Sequence, residues 1–301
     1  MRILITGTSG QVGRALREVL SARGADELLC PPRAEFDLAQ PASLASALDR
    51  FAPDLILNPA AYTAVDRAED EVELAMTING RAPGVIAQWA AGRRVPLLHV
   101  STDYVFDGSG ERPWREDDPV GPLSAYGRSK LAGEEAVRSA GGPHLIVRTA
   151  WVFASEGANF MRTMIRLARE RESLRVVADQ KGTPTSARSI AQAIAAILAQ
   201  GTADLPAAFA KAEGLVHLTN SGATSWHGFA SAIVDGLRQR DIAVKAAAVE
   251  AITTADFPTK AKRPANSQLD LSRLSTAYGI VPPTWQEALA RELDEVAPSL
   301  R

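Results

Sequence analysis

Cysteine, histidine and long hydrophobic runs are scarce in this 301-residue chain. The single cysteine, Cys30, excludes an internal disulfide and a cysteine-rich metal site, and it fits a reducing compartment. The longest apolar stretch, around Ile190 to Leu198, is too short to cross a bilayer. None of the four histidines has the spacing of a metal ligand set, and we predict structural roles for all of them: His99, His144, His217 and His227.

An excess of charge of one sign is also lacking. The formal net charge is −2 and the pI is about 6.1. These values do not favour binding to nucleic acid, because proteins that bind nucleic acid usually present a basic face. Hydrophobic residues make up 46% and charged residues 23%, a composition typical of a soluble globular protein. The segment Met1–Gly7 has too few apolar residues for a secretory signal. We therefore expect it to be a strand of a mature, cytoplasmic protein without a membrane association.

Short apolar runs alternate with helical patterns through the first half of the chain. Strands that are apolar on both faces and alternate with helices form parallel sheets covered on both sides. We predict an α/β fold of the Rossmann type, a doubly wound parallel sheet whose ligand lies beyond the carboxyl ends of the strands. The predicted strands are Arg2–Thr6, Leu28–Leu29, Asp54–Asn58, Val95–Val100 and Leu145–Arg148.

The second half is less regular and predicts a smaller substrate domain. We assign residues 1–150 to a dinucleotide-binding domain and residues 151–301 mainly to the substrate domain, with residues of about 185–220 returning to the first. The Pro- and Lys-rich residues 253–271 are predicted to form a surface loop, and a helix over 71–91 is predicted to break near Gly80, Pro83 and Gly84. Further predicted elements are helices at 43–51, 159–171, 189–200 and 226–238 and a strand at 215–218.

A glycine-rich turn, residues 7–13, follows the first predicted strand and opens a helix. Gly7 permits a tight turn, Gly10 lets the backbone approach a pyrophosphate, and Gly13 allows close packing of helix on strand. The amides at the start of the helix then favour an anion. The spacing is G-x-x-G-x-x-G, and the alternative is a glycine-rich turn without a ligand.

The end of the second strand normally selects the cofactor. A carboxylate there accepts hydrogen bonds from the ribose 2′-hydroxyl and repels a 2′-phosphate. In this chain Cys30 holds the place and Arg33 follows closely, so we predict that NADPH is preferred and that NADH is possible. The alternative is that Arg33 is a solvated loop charge. Asp37 lies further along, in a position better suited to the adenine ring.

Tyr126 and Lys130 are four residues apart on a predicted helix and share a face. A phenol with an ordinary pKa near 10 is a poor acid at neutral pH, and a nearby ammonium would lower that pKa. We predict that Tyr126 is a proton donor supported by Lys130, and that Thr102 binds the substrate oxygen. A tyrosine and a lysine at this spacing are common by chance. Their order after the glycine-rich turn and the segment Ser101–Asp103 makes the signal specific.

Over nearly its whole length the chain resembles the extended short-chain dehydrogenases/reductases and, among them, the dTDP-4-dehydrorhamnose reductases. The resemblance implies reduction of the C4 ketone of a dTDP-bound 6-deoxyhexose, with a nucleotide sugar and a nicotinamide cofactor as the small-molecule partners. The segments that carry it are Thr6–Gly13, Asn58–Asp66, Ser101–Gly108, Pro122–Lys130, Arg148–Phe153, Asp179–Thr185 and Arg263–Ser267.

The resemblance also implies roles for individual residues. The catalytic set would be Thr102, Tyr126 and Lys130. The substrate would be bound by Thr102, Asp103, Tyr126 and Trp151, with Arg263 and Asn266 in the segment that holds the nucleotide diphosphate. The cofactor would be bound by Gly7, Ser9, Gly10, Gln11, Val12, Gly13, Arg33, Asp37, Leu38, Ala60, Ala61, Tyr62, Thr63, Val100, Tyr126 and Lys130.

Two departures from the family pattern bear on the cofactor and on assembly. The family often carries an acidic residue where Cys30 stands. Some members form dimers around a magnesium ion held by carboxylates, and the matching positions here are Ala15 and Arg188. We therefore expect no bound metal and a monomer or weak homodimer. Two other functions stay open: an epimerase or dehydratase of the same superfamily, and a non-catalytic regulatory subunit.

Overall fold

A computed structural model describes residues 1–24 and 27–301. Its strands, in chain order, are β1 Arg2–Ile5, β2 Glu27–Leu29, β3 Leu55–Asn58, β4 Leu97–Thr102, β5 His144–Thr149, β6 Val152–Phe153, β7 Ser173–Val177, β8 Lys181–Gly182, β9 Thr185–Ser186, β10 Leu215–His217, β11 Thr224–Ser225 and β12 Ala248–Ile252. Its α-helices are α1 Gln11–Ser21, α2 Pro41–Phe51, α3 Val72–Met76, α4 Ala82–Arg93, α5 Ala125–Ser139, α6 Phe160–Glu170, α7 Ala187–Gln200, α8 Leu205–Ala210, α9 Trp226–Arg238, α10 Ser272–Tyr278 and α11 Trp285–Val296. Short 3₁₀ turns lie at Arg67–Glu69, Asp103–Val105, Thr254–Asp256 and Ala297–Ser299.

Six strands form one parallel sheet in the order β10-β5-β4-β3-β1-β2. The prediction of a doubly wound parallel sheet is confirmed. The strand order reverses between β1 and β3: β2 lies on one side of β1, and β3, β4, β5 and β10 lie on the other side. Ligands bind in the crevice outside the carboxyl ends at such a switch point. The late strand β10 joins the sheet beside β5.

Helices cover both faces of this sheet because each carries an apolar stripe. Leu16 and Leu20 of α1 pack with Ile190 and Ile194 of α7 in the core on one face. The other face is covered by α2 and α4, which include Leu44 and Ile86. Burying such stripes on both faces is the main stabilising contribution of the sheet.

A second core lies outside the main sheet and contains α6, α9 and α11. Its side chains include Met161, Phe229 and Leu289. Two-stranded pairings complete this part: β7 with β12, β6 with β9 and β8 with β11. The parallel pair β6 and β9 lies where the chain leaves β5, so the second core is attached close to the carboxyl ends of the main sheet. We predicted neither these short strands nor α11.

The prediction of a break near Gly80 is wrong. The chain stays helical from Val72 to Arg93, and the stretch Thr77–Arg81 is a π-helix. Pro83 lies in the first turn of α4, directly after the wider π turn, and has no N–H to donate to the preceding turn. A Cβ on Gly80 would lie 3.3 Å from the Ala132 Cβ, so the glycine serves a close approach to α5. The predicted loop at 253–271 is confirmed, apart from its one 3₁₀ turn.

Within the described part of the chain, no helix has both the length and the apolar character needed to cross a membrane.

Candidate active site

A cleft of about 730 Å³ opens above the carboxyl ends of β1, β3, β4 and β5. One wall is the glycine-rich turn. Gly7 has a positive φ of 59°, and a Cβ on Gly13 would lie 2.3 Å from the Gly7 carbonyl oxygen. No side chain caps the start of α1, so its first amides are free to bind an anion in the cleft. Of the predicted residues, Gly7, Ser9, Gly10, Gln11, Val12 and Gly13 all line this wall.

The segment after β3 forms the facing side of the cofactor half of the cleft. Ala60, Ala61 and Thr63 line it, as expected, and so does Val100 at the end of β4. Tyr62 does not line the cleft. Its hydroxyl donates to a Glu71 carboxylate oxygen at 2.5 Å, and its ring packs, partly buried, against apolar side chains next to the cleft wall.

Tyr126 and Lys130 reach the cleft from the first two turns of α5. The helix is fixed at its start by the Ser124 hydroxyl, which accepts from the Gly127 amide at 3.1 Å. Tyr126, Lys130 and Thr102, which ends β4, all line the same cavity. The three residues predicted to be catalytic are therefore brought together by the fold.

The electrostatics of this group differ from the expectation. Burial raises the pKa of Tyr126 above its ordinary value, against the opposing effect of a hydrogen bond with Thr102. Burial outweighs any favourable effect of Lys130 on the phenolate, and the Lys130 amino group donates to the Val100 carbonyl oxygen at 2.7 Å. Burial lowers the pKa of Lys130 to about 8. Tyr126 is thus fully protonated at neutral pH, which is the state that a proton donor requires.

Polar atoms without partners face the cleft beside this group. Among the residues that the structure describes, buried side-chain atoms with no hydrogen-bond partner include Ser101 Oγ, Thr149 Oγ1 and Asp103 Oδ2. The other Asp103 oxygen accepts from the Thr102 hydroxyl at 2.9 Å. Burial raises the pKa of Asp103 to about 6, although the hydrogen bond from Thr102 opposes the shift. Orphaned buried polar atoms are costly, so they indicate that a ligand completes them.

Two stacked indoles form the opposite wall. The Trp151 and Trp226 rings lie 3.6 Å apart between centroids, at 11°. Trp151 is held by its backbone φ of 48° and by Gly182, whose added Cβ would lie 2.5 Å from the ring. Trp226 also lines the cleft, although we did not predict it from the sequence. The signal in the sequence that could have revealed it is weak, because a lone tryptophan at a helix start is usually core.

Arg263 enters the cleft and Asn266 does not. The Arg263 guanidinium donates to an Asp66 carboxylate oxygen at 2.7 Å and to the Tyr104 hydroxyl at 3.1 Å. Tyr104, which we did not predict, contacts the Tyr126 ring edge to face. Asn266 is buried away from the cleft because its amide donates to the Arg112 carbonyl oxygen at 2.8 Å.

The residues predicted for the adenine end lie outside the cleft wall. Leu38 is buried in the core beneath α2. Arg33 Nε lies 3.2 Å from a carboxylate oxygen of Asp37, and the Arg33 side chain is 75% exposed. Both charges are near the end of β2, beside the partly buried Cys30.

The positions corresponding to the family's magnesium site hold a different arrangement. Arg188 forms an ion pair with Glu295 and lies 3.7 Å from Glu292, both on α11. Ala15 has no metal-binding side chain. Over residues 1–24 and 27–301, no group of three or more histidine, cysteine or carboxylate side chains could hold a metal ion.

The cleft fits a dinucleotide. The glycine-rich turn leaves no room for side chains where backbone amides meet the cavity, which suits a pyrophosphate. Gln11 Oε1 is a further buried atom without a partner at this wall, within the described residues. A neutral phenol, an amine and a hydroxyl lie at the other end, where a carbonyl would be reduced.

Comparison with known proteins agrees with this geometry. The family model described as "RmlD substrate binding domain" matches residues 1–297. A dTDP-4-dehydrorhamnose reductase of Burkholderia thailandensis is 47% identical over 293 residues, which cover 96% of this chain and 97% of the relative. Another, from Sinorhizobium fredii, is 44% identical over 298 residues, covering 97% and 96%.

Solved structures agree as well. A dTDP-4-dehydrorhamnose reductase from Clostridium acetobutylicum superposes with a TM-score of 0.89 at 34% identity, covering 98% of this chain and 99% of the other. One from Bacillus anthracis, in complex with NADP, has a TM-score of 0.87 at 32% identity, with the same coverage. On the family match and on these identities over nearly the full length, this chain belongs to the dTDP-4-dehydrorhamnose reductase family.

Proposed function

We propose that this chain reduces the C4 ketone of dTDP-4-dehydro-L-rhamnose to dTDP-L-rhamnose, a step of rhamnose and cell-surface polysaccharide biosynthesis. The main support for the proposal is that Thr102, Tyr126 and Lys130 line the same cleft as the glycine-rich turn, in a chain that belongs to this family. The reaction is an NAD(P)H-dependent oxidoreduction.

Each part of the cleft has a separate role in this reaction. When bound, the nicotinamide cofactor supplies the hydride. The first amides of α1 would hold its pyrophosphate. Thr102 orients the substrate when its hydroxyl proton turns from the Asp103 carboxylate to the C4 oxygen. Tyr126 gives its proton to that oxygen as C4 is reduced, and Lys130 in its charged form stabilises the phenolate left behind.

The substrate wall is suited to a sugar nucleotide. Trp151 and Trp226 present apolar faces to a sugar ring, and Arg263 supplies a fixed positive charge for the diphosphate. Asp66 holds that guanidinium in place before substrate arrives, which reduces the ordering cost of binding. Asp103, next to Thr102, offers Oδ2 to a substrate hydroxyl.

The finer features of the proposal concern the cofactor, the location and the assembly. We propose that NADPH is preferred, because Cys30 cannot repel a 2′-phosphate and Arg33 can attract one. We also propose a cytoplasmic enzyme that is a monomer or a weak homodimer.

The test is an assay of NADPH oxidation with a panel of nucleotide 4-keto sugars, with the product identified by NMR. We expect one NADPH consumed per dTDP-L-rhamnose formed, with dTDP-4-dehydro-L-rhamnose as the best substrate. Epimerised or dehydrated sugar without net NADPH consumption would contradict the proposal in favour of another enzyme. Binding of both ligands without turnover would favour a regulatory subunit.

A further inference from the structure

Tyr104 contacts three groups that meet the substrate in the proposed reaction. Its amide donates to Thr102 Oγ1 at 3.3 Å, and its hydroxyl accepts from the Arg263 guanidinium at 3.1 Å. Its ring packs edge to face with that of Tyr126, at 5.4 Å between centroids and 76° between planes. All four residues line the same cleft. Tyr104 therefore joins the end of the cleft proposed to reduce the ketone to the end proposed to hold the diphosphate.

The backbone of Tyr104 is packed against the start of α5. Tyr104 lies in the 3₁₀ turn Asp103–Val105, which directly follows β4. A Cβ on Gly127, in the first turn of α5, would lie 2.3 Å from the Tyr104 carbonyl oxygen, so the glycine allows this close approach. Because Tyr126 is the residue before Gly127, the turn and the helix hold the two tyrosine rings at a fixed separation.

The Tyr104 hydroxyl has a proton available for a ligand. A phenol oxygen can accept hydrogen bonds and donates one. Its oxygen accepts from the Arg263 guanidinium, and within residues 1–24 and 27–301 its proton has no acceptor. A hydroxyl whose oxygen accepts from a cation is polarised and becomes a stronger donor. An anionic oxygen bound at Arg263 is the acceptor that matches it, because hydrogen bonds to phosphate oxygens are charge-assisted.

We infer that Tyr104 is a substrate-binding and positioning residue. Its hydroxyl, oriented by Arg263, donates to a diphosphate oxygen of the sugar nucleotide, and its ring holds the Tyr126 phenol in place beside the reacting carbonyl. The inference rests on the proposed function, in which Arg263 binds the diphosphate and Tyr126 gives the proton. One side chain thereby sets the position of the proton donor relative to the diphosphate.

Neighbouring groups do not supply the same contacts. Asp66 also accepts from the Arg263 guanidinium, at 2.7 Å, but a carboxylate repels a diphosphate and cannot donate to it. An alanine methyl contacts less of a phenol ring than a second aromatic ring does. The buried members of the other apolar cluster against which Tyr126 packs are all alanines: Ala68, Ala75 and Ala125.

The experiment compares Tyr104→Phe, which removes only the hydroxyl, with Tyr104→Leu, which also removes the ring. The affinity for dTDP is measured by titration calorimetry, and kcat and KM for the sugar nucleotide are measured at saturating NADPH. We expect both variants to weaken dTDP and to raise KM by about tenfold, because a hydrogen bond to a charged group is lost. Only Tyr104→Leu should also lower kcat, by about tenfold or more, because a displaced acid transfers its proton less efficiently.

A double-mutant cycle with Arg263→Ala tests whether the guanidinium orients the hydroxyl. In that background Tyr104→Phe should weaken dTDP only about twofold or less, because the hydroxyl has already lost the group that orients it. The matched control is Tyr278→Phe, which removes a tyrosine hydroxyl that donates to the Ala208 carbonyl oxygen outside the cleft. The control should leave kcat, KM and the affinity for dTDP unchanged.

Three results would overturn the inference: wild-type affinity for dTDP in Tyr104→Phe, the same kcat in the Phe and Leu variants, or an equal loss of affinity with and without Arg263. If Tyr104→Leu does not fold, Tyr104→Met replaces it, because methionine fills irregular space without a ring. Titration with dTDP needs no turnover, so wild-type protein that binds dTDP and NADPH without turnover would contradict the proposed function separately.

Discussion

Replacement of Arg33 by alanine should remove most of the preference for NADPH over NADH. The 2′-phosphate of NADPH is expected near the end of β2, where Cys30 presents no carboxylate to repel it. In the described residues, Arg33 uses its Nε for Asp37, at 3.2 Å, and the two Nη atoms stay available for phosphate oxygens. Arg33 can therefore bind a phosphate while keeping its ion pair.

The size of the effect follows from exposure. A well-formed guanidinium–phosphate contact contributes roughly 1.5–3 kcal/mol, and an exposed ion pair contributes about 1 kcal/mol or less. Because the Arg33 side chain is 75% exposed and shared with Asp37, the lower part of the range applies. We expect about 1.4 kcal/mol, which corresponds to a tenfold preference for NADPH.

The assay is kcat/KM for both cofactors on wild type, Arg33→Ala and Asp37→Asn. Arg33→Ala should weaken NADPH about tenfold and leave NADH nearly unchanged, since only the phosphate contact is lost. Asp37→Asn should increase the preference, because it frees the guanidinium and removes a negative charge.

Arg17→Ala tests the competing cation, since the Arg17 charge acts on the Cys30 thiol and lowers its pKa against the larger effect of burial. Equal use of both cofactors by wild type would refute the reasoning. So would an Arg33→Ala protein that loses both cofactors alike, or a preference that disappears only in Arg17→Ala.

Four further predictions concern catalysis, stability and assembly. Tyr126→Phe should lower kcat by about 100-fold or more with little change in cofactor affinity, because the proton donor is removed; a variant with near wild-type turnover would exclude Tyr126 as the acid. In the folded protein burial raises the pKa of Asp103 to about 6, whereas its ordinary value, expected in the unfolded chain, is 3.8. Ionisation of Asp103 therefore lowers the unfolding free energy at high pH and has no effect on it below pH 3.8. Asp103→Asn should therefore raise the unfolding free energy at pH 8 by up to about 3 kcal/mol and not at pH 3, and a gain that is equal at both pH values in denaturant titrations would contradict the shift. Gly182→Ala should displace the Trp151 ring and raise KM for the sugar nucleotide more than KM for NADPH, and equal changes in steady-state kinetics would argue against that ring as a substrate contact. Arg188 is paired with Glu295, and a guanidinium cannot bind a metal ion, so we expect sedimentation to give the same mass with magnesium and with EDTA; a metal-dependent mass would show that carboxylates elsewhere bind the ion.

The parallel sheet and most of its helices could be predicted from local patterns. The apolar run at Arg2–Thr6 and the periodicity of α1 depend on a few neighbouring residues, and so does the glycine-rich turn between them, where we propose that a phosphate binds. The continuity of the helix through Gly80 could not be predicted, because the close approach of α5 that favours glycine there depends on residues about fifty positions later.

The residues that we propose to be catalytic could also be predicted largely from the sequence. Tyr126 and Lys130 are four residues apart and therefore share a face of α5, and Thr102 is the last residue of β4. The pKa shifts of these side chains could not be predicted from the sequence, because the direction of a pKa shift depends on what surrounds the side chain in the folded protein. The expected lowering of the Tyr126 pKa is wrong, because burial of the phenol in the folded protein raises it.

The tertiary structure alone decided which distant residues share the cleft. It brought Trp226 onto Trp151, directed Arg263 inward between Asp66 and Tyr104, and used Asn266 to anchor a loop. The sequence by itself determined the strands, the glycine-rich turn and the spacing of Tyr126 and Lys130, because these depend on neighbours along the chain. Contacts across many tens of residues depend on how two cores pack against each other, and no local periodicity encodes that packing.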